Sequence, residues 1–582
     1  GDTVLQRLNN INEERFQPLP DDRKVPAWVR RAVLRGLKAD PARRWPSMAP
    51  LIAALEDDPP ARHRRRFLAV AVIALVAVTA AGVTHVVRHH RLEIDRQVSG
   101  HLHDAALAGS AGRAKEKAAR ELRRRAFQSF DAAERARGEE LWREALALVP
   151  AADSAYERAE RAYEMALVLD PGRADVRAEL ADLIYQQLLF ARELRRNDQA
   201  RALGALLERD DEDGHRRAAL QAPGTLALRT TPDSATVFLD RYEREPATGR
   251  RMARPVAGPP PAPGAIIALE PGSYRARVGA PGYADVAYPF ELSEGEHLQA
   301  SLRLPQSSEI PKDFVFIPAG EFWFGDADEN LRNSFLDTVP LHRRHSDAFL
   351  IARHETTYRE WIDFLTALPE ERRGFYAPQA SAPLRGSLRL RQVDGDWQLT
   401  FQPTSQRYSA RQNETFVYVG RDRRTRQDWL EFPVAGTAPV DVERYLRWLR
   451  ETGRVPGARL CTEVEWERAA RGADDRVYPH GDELGPDDAN FDVTYGRVDS
   501  AFGPDMVGAH PASQSPFGVD DLAGNVLELV RSSLSANGLV IRGGAYYFNS
   551  ATCRVTNRNQ VSATFRDVTS GIRVCAPAPE TP

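Results

Sequence analysis

Cysteine is nearly absent from this chain of 582 residues, occurring only as Cys461, Cys553 and Cys575. That scarcity excludes a disulfide-dense secreted scaffold and any four-cysteine zinc site. A charge surplus is missing as well. Lysine and arginine total 79 against 82 acidic residues, a net of −3, so there is no global footprint for nucleic acid and no nucleic-acid partner is expected. Lysine occurs only at 24, 38, 115, 117 and 312, which leaves arginine to carry the basic side, a bias of GC-rich bacterial coding. Long apolar runs are lacking, except for one, and a mean hydropathy of −0.47 excludes a polytopic membrane protein. The length is too great for a single core, and about three to five domains are expected. The chain opens on Gly1 rather than Met, so an upstream part is expected.

The one apolar run, Phe67 to Val87, has 21 residues and no charge apart from what His85 can carry. At about 1.5 Å per helical residue it spans a hydrocarbon core of about 30 Å. Arg62, Arg64, Arg65 and Arg66 precede it, and Arg88 and Arg91 follow. The basic excess on the first side predicts a single-pass protein of a bacterial inner membrane, with the N-terminal side cytoplasmic and everything beyond residue 91 extracytoplasmic.

On the cytoplasmic side, Val33, Leu34 and Leu37, then Met48, Leu51, Ile52 and Leu55, have the spacing of two amphipathic helices. Asp40-Pro41 and Trp45-Pro46-Ser47 punctuate them, and Ser47 is the expected N-cap. With Asp40-Pro41-Ala42-Arg43-Arg44, residues 1–57 resemble the end of the C-lobe of bacterial serine/threonine protein kinases. The resemblance implies that Arg44 is a structural arginine, pairing in that family with a glutamate at the end of the activation segment. The glycine-rich loop, the strand lysine, the His-Arg-Asp loop and the Asp-Phe-Gly site do not occur before residue 66. As given, the chain cannot transfer phosphate. ATP would belong to a kinase domain upstream.

Residues 92–220 have helical composition, rich in Ala, Leu, Glu and Arg. Ala155, Ala159, Ala162, Tyr163, Ala166 and Leu167 recur at helical spacing up to Leu169-Asp170-Pro171, and a second helix is expected from Arg173 to about Arg196. This resembles one tetratricopeptide unit, which needs neighbours in 110–150 and 197–216 to bury its faces. The pattern then changes. Leu226, Leu228, Val237 and Leu239 alternate around Thr231-Pro232-Asp233-Ser234, as strands about a turn do. With a proline-rich loop from Pro255 to Pro263, Leu269-Glu270-Pro271-Gly272-Ser273-Tyr274 and Pro281-Gly282-Tyr283, residues 224–304 resemble a PEGA domain, a small all-β extracytoplasmic spacer or attachment module.

From residue 313 a dense motif series appears. It includes Arg353-His354-Glu355-Thr356-Thr357, the run Arg459 to Glu467, Tyr478-Pro479-His480-Gly481, Gly524-Asn525-Val526, Arg542-Gly543-Gly544 and Gly571-Ile572-Arg573. In order and spacing, residues 308–577 resemble the formylglycine-generating enzyme family, also known as sulfatase-modifying factors. That resemblance implies an α+β C-type-lectin-like fold of irregular loops, short strands and two helices. An insertion at 371–432 interrupts it, with Asp394-Gly395 expected in a β-hairpin.

The family's enzymes hold copper on two cysteines after the Arg-Gly-Gly motif. Cys553 matches the second, but Phe548 stands at the first, and one thiolate cannot make a two-coordinate Cu(I) site. No catalytic residue is therefore assigned. Cys553 is a small buried hydrophobe or, geometry allowing, a partner for Cys575. The resemblance also implies structural calcium, which needs oxygen ligands. Asp521, Gly524, Val526 and Glu528 match one family site; Asn490, Phe491, Asp499 and Ala501 match a second. The alternative for both is ordinary turn-forming Asn/Asp and surface carboxylates. Tyr546, Tyr547, Phe548 and Asn549, with Asn557 and Arg558, are either a recognition face for a protein or glycan or aromatics alternating into a core.

The chain thus reads as multidomain: helical from the kinase end through the stalk, then an all-β module and an α+β lectin-like domain. The leading functional expectation is the membrane-spanning and ligand-sensing part of a receptor-type serine/threonine kinase, with a catalytically inactive outer domain and a homodimer as the signalling form. Two alternatives stand beside it: a surface-display protein of the kind diversified by retroelements at scattered positions of 545–570, and an oxidase making formylglycine on sulfatases.

Overall fold

The computed structural model describes residues 3–17, 25–262, 264–382, 386–535 and 537–579. Pro263 at the end of the proline-rich loop, residues 18–24 of the kinase-like stretch and the side chains of Arg62 and Arg65 lie outside the described set. The chain divides into two compact units, 1–101 with 168–171, and 102–167 with 172–582.

The first unit holds α1 (Val4–Asn12), α2 (Ala27–Gly36) and α3 (Met48–Glu56), followed by the long helix α4 (Pro59–Asp131), whose N-terminal part belongs here. The Trp45 indole donates to the Ala32 carbonyl at 2.8 Å and lies under the Arg35 guanidinium at 4.1 Å, which ties α2 to the segment before α3. Asp40 accepts from the Ala42 N–H at 2.9 Å and starts the 3₁₀ turn Pro41–Arg43. Ser47 stands at the N-cap of α3 but makes no side-chain cap bond. Val33, Leu37, Met48 and Ile52 stay exposed. The Phe67–Val87 run lies within α4, the one helix among the described residues long and apolar enough to cross a membrane.

In the second unit the rest of α4 packs against α5 (Arg135–Leu169), and α6 (Ala174–Glu193), α7 (Asn197–Asp210) and α8 (His215–Ala219) follow. Close approach needs Gly112, where a Cβ would lie 2.7 Å from the Tyr156 ring. Ala155, Ala159, Tyr163 and Ala166 are buried. The helix that carries them, α5, runs unbroken for 35 residues through Pro150. Continuous apolar spacing on both sides of the proline, from Leu141, Trp142, Ala145 and Val149 to Ala152, holds it together.

Seven strands form a two-sheet sandwich: β1 (Gly224–Thr231), β2 (Thr236–Arg244), β3 (Arg251–Pro255), β4 (Ile266–Leu269), β5 (Gly272–Gly279), β6 (Val286–Leu292) and β7 (His297–Arg303). The orders are β4-β1-β7 and β3-β2-β5-β6, closing on Leu226, Leu228, Val237, Leu239, Tyr274 and Phe290.

The β-rich C-terminal domain completes the unit. A four-stranded sheet joins Phe314–Ile317, Phe349–Ala352, Arg459–Leu460 and Val574–Pro577, while Leu527–Arg531, Leu539–Arg542, Asn559–Val561 and Ser570–Ile572 form another. Three helices longer than one or two turns are seen among the described residues, Tyr358–Ala367, Pro439–Glu451 and Glu463–Arg471, one more than expected. The insertion is more than a hairpin. Its Val393/Asp396 turn, with Asp394 and Gly395 at φ of 53° and 91°, lies in an antiparallel sheet of Gln379–Ala382, Gly386–Val393, Asp396–Gln402 and Tyr408–Arg411. Leu388, Leu390, Trp397, Leu399 and Phe401 of that sheet are buried in the same core as Trp361, Tyr445 and Tyr546.

The helices and the sandwich are fastened to this domain. Phe322, Phe324 and Val339 share a core with Ala126, Phe130, Leu141 and Trp142, and Arg332 donates to Glu139 at 2.6 Å. Arg251 of β3 donates to Asp475 and Asp482 at 2.9 and 2.8 Å.

Candidate functional site

The motifs of the C-terminal domain converge on a buried charged frame. Thr462 and Glu465 cap the helix Glu463–Arg471 reciprocally, which turns Glu463, Trp466 and Glu467 inward. Glu463 accepts from Arg542 at 2.7 Å and from Arg558 at 2.6 Å, and Glu467 accepts from Arg542 and from the Gly325 N–H. Burial pushes the Glu463 carboxyl up, yet Arg542 and Arg558 hold it below its ordinary value. Arg573 donates to both oxygens of Glu528 at 2.9 and 2.6 Å and to the carbonyls of Arg353 and Asp520, and Trp466 adds a 2.7 Å bond to Glu528. Signature residues at Glu463, Glu467, Arg542 and Arg573 are thus architecture, linking four separate segments.

The thiol position is inert. Cys553 is fully buried, and burial pushes its thiol up to about 12. Cys461 and Cys575 are bonded to each other across 114 residues, so the pairing of Cys553 with Cys575 left open by the sequence is excluded. No second thiolate faces Cys553, and a copper site does not fit these residues.

The matched calcium positions meet where the Asn490 carbonyl accepts from the Asn525 N–H at 2.8 Å. A Cβ on Gly524 would lie 2.4 Å from that same carbonyl, and at φ 80° the position suits only glycine. On one side, Glu528 accepts from Arg573 and Trp466. Val526 is buried against Gly571. Asp521, buried at φ 57°, accepts from the Gly508 N–H. Near it sits Glu355, whose two carboxylate oxygens are buried without a hydrogen-bond partner, Arg573 lying 3.7 Å away. Burial, then the charge of Asp521, push the Glu355 carboxyl well above its ordinary value, and burial raises Asp521 as well. Asp521 and Glu355 are thus two buried carboxyls close to the single guanidinium of Arg573.

The other side differs. Asp499 is exposed, and its carboxylate accepts only a 3.4 Å bond from the Ser405 hydroxyl. Phe491 donates its N–H to Thr494 Oγ1 at 2.9 Å, and the Asn490 amide donates to the Gly503 carbonyl at 3.0 Å. The Ala501 carbonyl accepts from Arg421 Nε at 2.7 Å. Arg421 belongs to the insertion, and with a guanidinium on one of its four ligands this second calcium set does not fit a metal ion.

The expected recognition face is half core. Tyr546 is buried edge-on to Phe401, Asn557 is buried and donates to the Thr552 carbonyl, and Arg558 serves Glu463. Only Tyr547, Phe548 and Asn549 reach the surface, and Asn549 accepts from the Thr552 N–H to cap a 3₁₀ turn. Tyr547 packs 5.5 Å from Phe502. In the first unit, Arg44 donates to the Lys38 and Ala39 carbonyls at 2.6 and 3.4 Å, a local brace. Sequence reasoning missed Glu355 as an unsatisfied carboxylate, together with Arg421, Asp505 and Asn525. Arg421 sits in the run Gly420 to Arg426, which reads as solvated surface.

Residues 300–578 match the sulfatase-modifying factor enzyme 1-like domain. The chain is 25% identical over 233 residues to serine/threonine-protein kinase pkn1 of Chlamydia pneumoniae, covering 40% of this chain and 29% of that protein, so it spans under a third of that relative. It is 29% identical over 237 residues to the formylglycine-generating enzyme of Mycobacterium tuberculosis, covering 37% of this chain and 72% of the enzyme. With inactive C-alpha-formylglycine-generating enzyme 2 of Bos taurus it shares 33% identity over 141 residues, 23% of this chain and 44% of the other. Among solved structures, PvdO from Pseudomonas aeruginosa aligns over 46% of this chain and 96% of its own at 22% identity, with a TM-score of 0.34.

Proposed function

We propose that this chain is the membrane-spanning and ligand-sensing portion of a bacterial receptor-type serine/threonine kinase, whose outer domain keeps the formylglycine-generating scaffold as a binding module without its chemistry. The observation that carries this reading is the single buried thiol of Cys553, with Phe548 at the position matched to the first copper cysteine and the other two cysteines tied in a disulfide. The receptor reading draws on the order of parts: a kinase-like helical pair, one apolar helix, then helices, a sandwich of PEGA type and the scaffold domain. The exposed Val33, Leu37, Met48 and Ile52 suit a surface meant to be covered by the body of a kinase lobe. The Cys461–Cys575 bond suits an oxidising compartment and so supports an extracytoplasmic C-terminal domain. A kinase relative and an inactive relative of the enzyme point the same way.

Ligand capture falls to the surface of the outer domain around Tyr547, Phe548 and Asn549, with a protein or glycan as ligand and a homodimer as the signalling form. Calcium, as a structural brace, is the ion for Asp521, Gly524, Val526 and Glu528, beside the unpartnered carboxyl of Glu355. The test is phosphorylation in source membranes exposed to cell-envelope extracts, with and without residues 92–582. Phosphorylation that responds only when the outer region is present supports the reading; an identical response in both overturns it.

A further inference from the structure

We infer that Arg421, delivered by the insertion, does for the 490–505 loop what a second bound cation would otherwise do. Its side chain is fully buried, as is that of Asp505. Nε donates to the Ala501 carbonyl at 2.7 Å, one terminal nitrogen to Asp505 Oδ1 at 2.5 Å, and the other to the Gly503 carbonyl at 2.7 Å. The guanidinium carbon lies 3.6 Å from the centre of the Tyr418 ring and 4.0 Å from that of Tyr495, so two aromatic rings pack against it. A planar cation with fixed donors is thus surrounded by two carbonyls and a carboxylate, the oxygen chemistry that a hard metal ion takes.

The rest of the insertion works on the same loop. Thr404 donates to the Asp499 carbonyl, Tyr408 and the Gly420 N–H to that of Ser500, and Tyr418 to that of Pro504 at 3.1 Å. Together with Arg421, donors from 404–421 reach the carbonyls of 499, 500, 501, 503 and 504. Gln427 donates to Asp505 at 3.1 Å and accepts from the Met506 N–H. Gly420 is required for the approach, since a Cβ there would lie 2.3 Å from the Ser500 hydroxyl oxygen and 2.8 Å from its backbone. A divalent ion on the Ala501 carbonyl would stand beside a buried positive charge, and repulsion between the two excludes joint occupancy.

The test uses the full chain in detergent, with calcium as the probe. Calcium equivalents are counted by equilibrium dialysis for the wild type, Asp499→Ala, Arg421→Lys and Arg421→Ala, and melting is followed in each. The wild type binds no more than one equivalent, and Asp499→Ala changes neither the count nor the melting temperature. Arg421→Ala melts roughly 6–15 °C lower, Arg421→Lys falls between, and millimolar methylguanidinium recovers part of the loss in Arg421→Ala. A second equivalent in the wild type that Asp499→Ala abolishes overturns the inference, and so does an Arg421→Ala protein as stable as the wild type. Should Arg421→Ala not fold, the wild-type and Asp499→Ala counts still decide. Neither outcome bears on whether the outer domain signals to a kinase.

Discussion

The two loops that meet at Asn490 and Gly524 handle buried oxygen atoms in opposite ways. On the 499–505 side, five backbone carbonyls and the Asp505 carboxylate are supplied with donors from one inserted segment, and the positive charge is covalently part of the chain. On the 521–528 side, Glu528 has Arg573 and Trp466, but Glu355 has no hydrogen-bond partner and Asp521 is a second buried carboxyl, both raised by burial. The difference teaches that two neighbouring loops of one domain can treat buried oxygen atoms by unlike means, because a buried charge must be compensated from somewhere.

The largest effect that would break the comparison is loss of Arg421. Arg421→Ala leaves Asp505 buried with only His510, Tyr495 and Gln427, and unfolding measurements should show a loss of about 3–5 kcal/mol. Next comes reduction of Cys461–Cys575, which spans 114 residues and should cost about 2–5 kcal/mol in a reducing melt. On the carboxylate side, saturating calcium should stabilise the wild type by about 2–3 kcal/mol over EDTA, and Asp521→Asn should lose that response. A smaller effect sharpens the dead-thiol reading. Folding raises Cys553 from its ordinary 9.0 to about 12, so its thiol resists iodoacetamide at pH 8 until the protein unfolds. Because the folded pKa is the higher one, its contribution is complete below pH 9 and lost between 9 and 12. The stability gap between the wild type and Cys553→Ala should therefore narrow over that window and not below it. Tyr547→Ala should change stability least, and far less than Tyr546→Ala, whose ring is in the core.

Much of the architecture was legible because it rests on periodicity and order. Alternation around Thr231–Ser234 marked strands β1 and β2, and the motif series from Arg353 to Arg573 marked the C-terminal domain. What the sequence left open has local causes. Tyr546, Asn557 and Arg558 sit beside exposed residues in the sequence, but side chains in irregular loops have no period from which to tell inside from outside. Glu528 matched a ligand position, yet its partner Arg573 is 45 residues away, a pairing no spacing announces. No motif or spacing singles out Arg421, and only the fold of the insertion brings it under the loop at 499–505. The disulfide partner of Cys575 was open for the same reason.

The proposed function rests most heavily on a C-terminal domain without a two-thiolate copper site. The most direct measurement is a Cu(I) competition titration of the full chain, run alongside oxidation of a cysteine-containing sulfatase peptide under oxygen. The account predicts no tight Cu(I) equivalent and no aldehyde product. One equivalent that Cys553→Ala abolishes, together with turnover of the peptide, would contradict it.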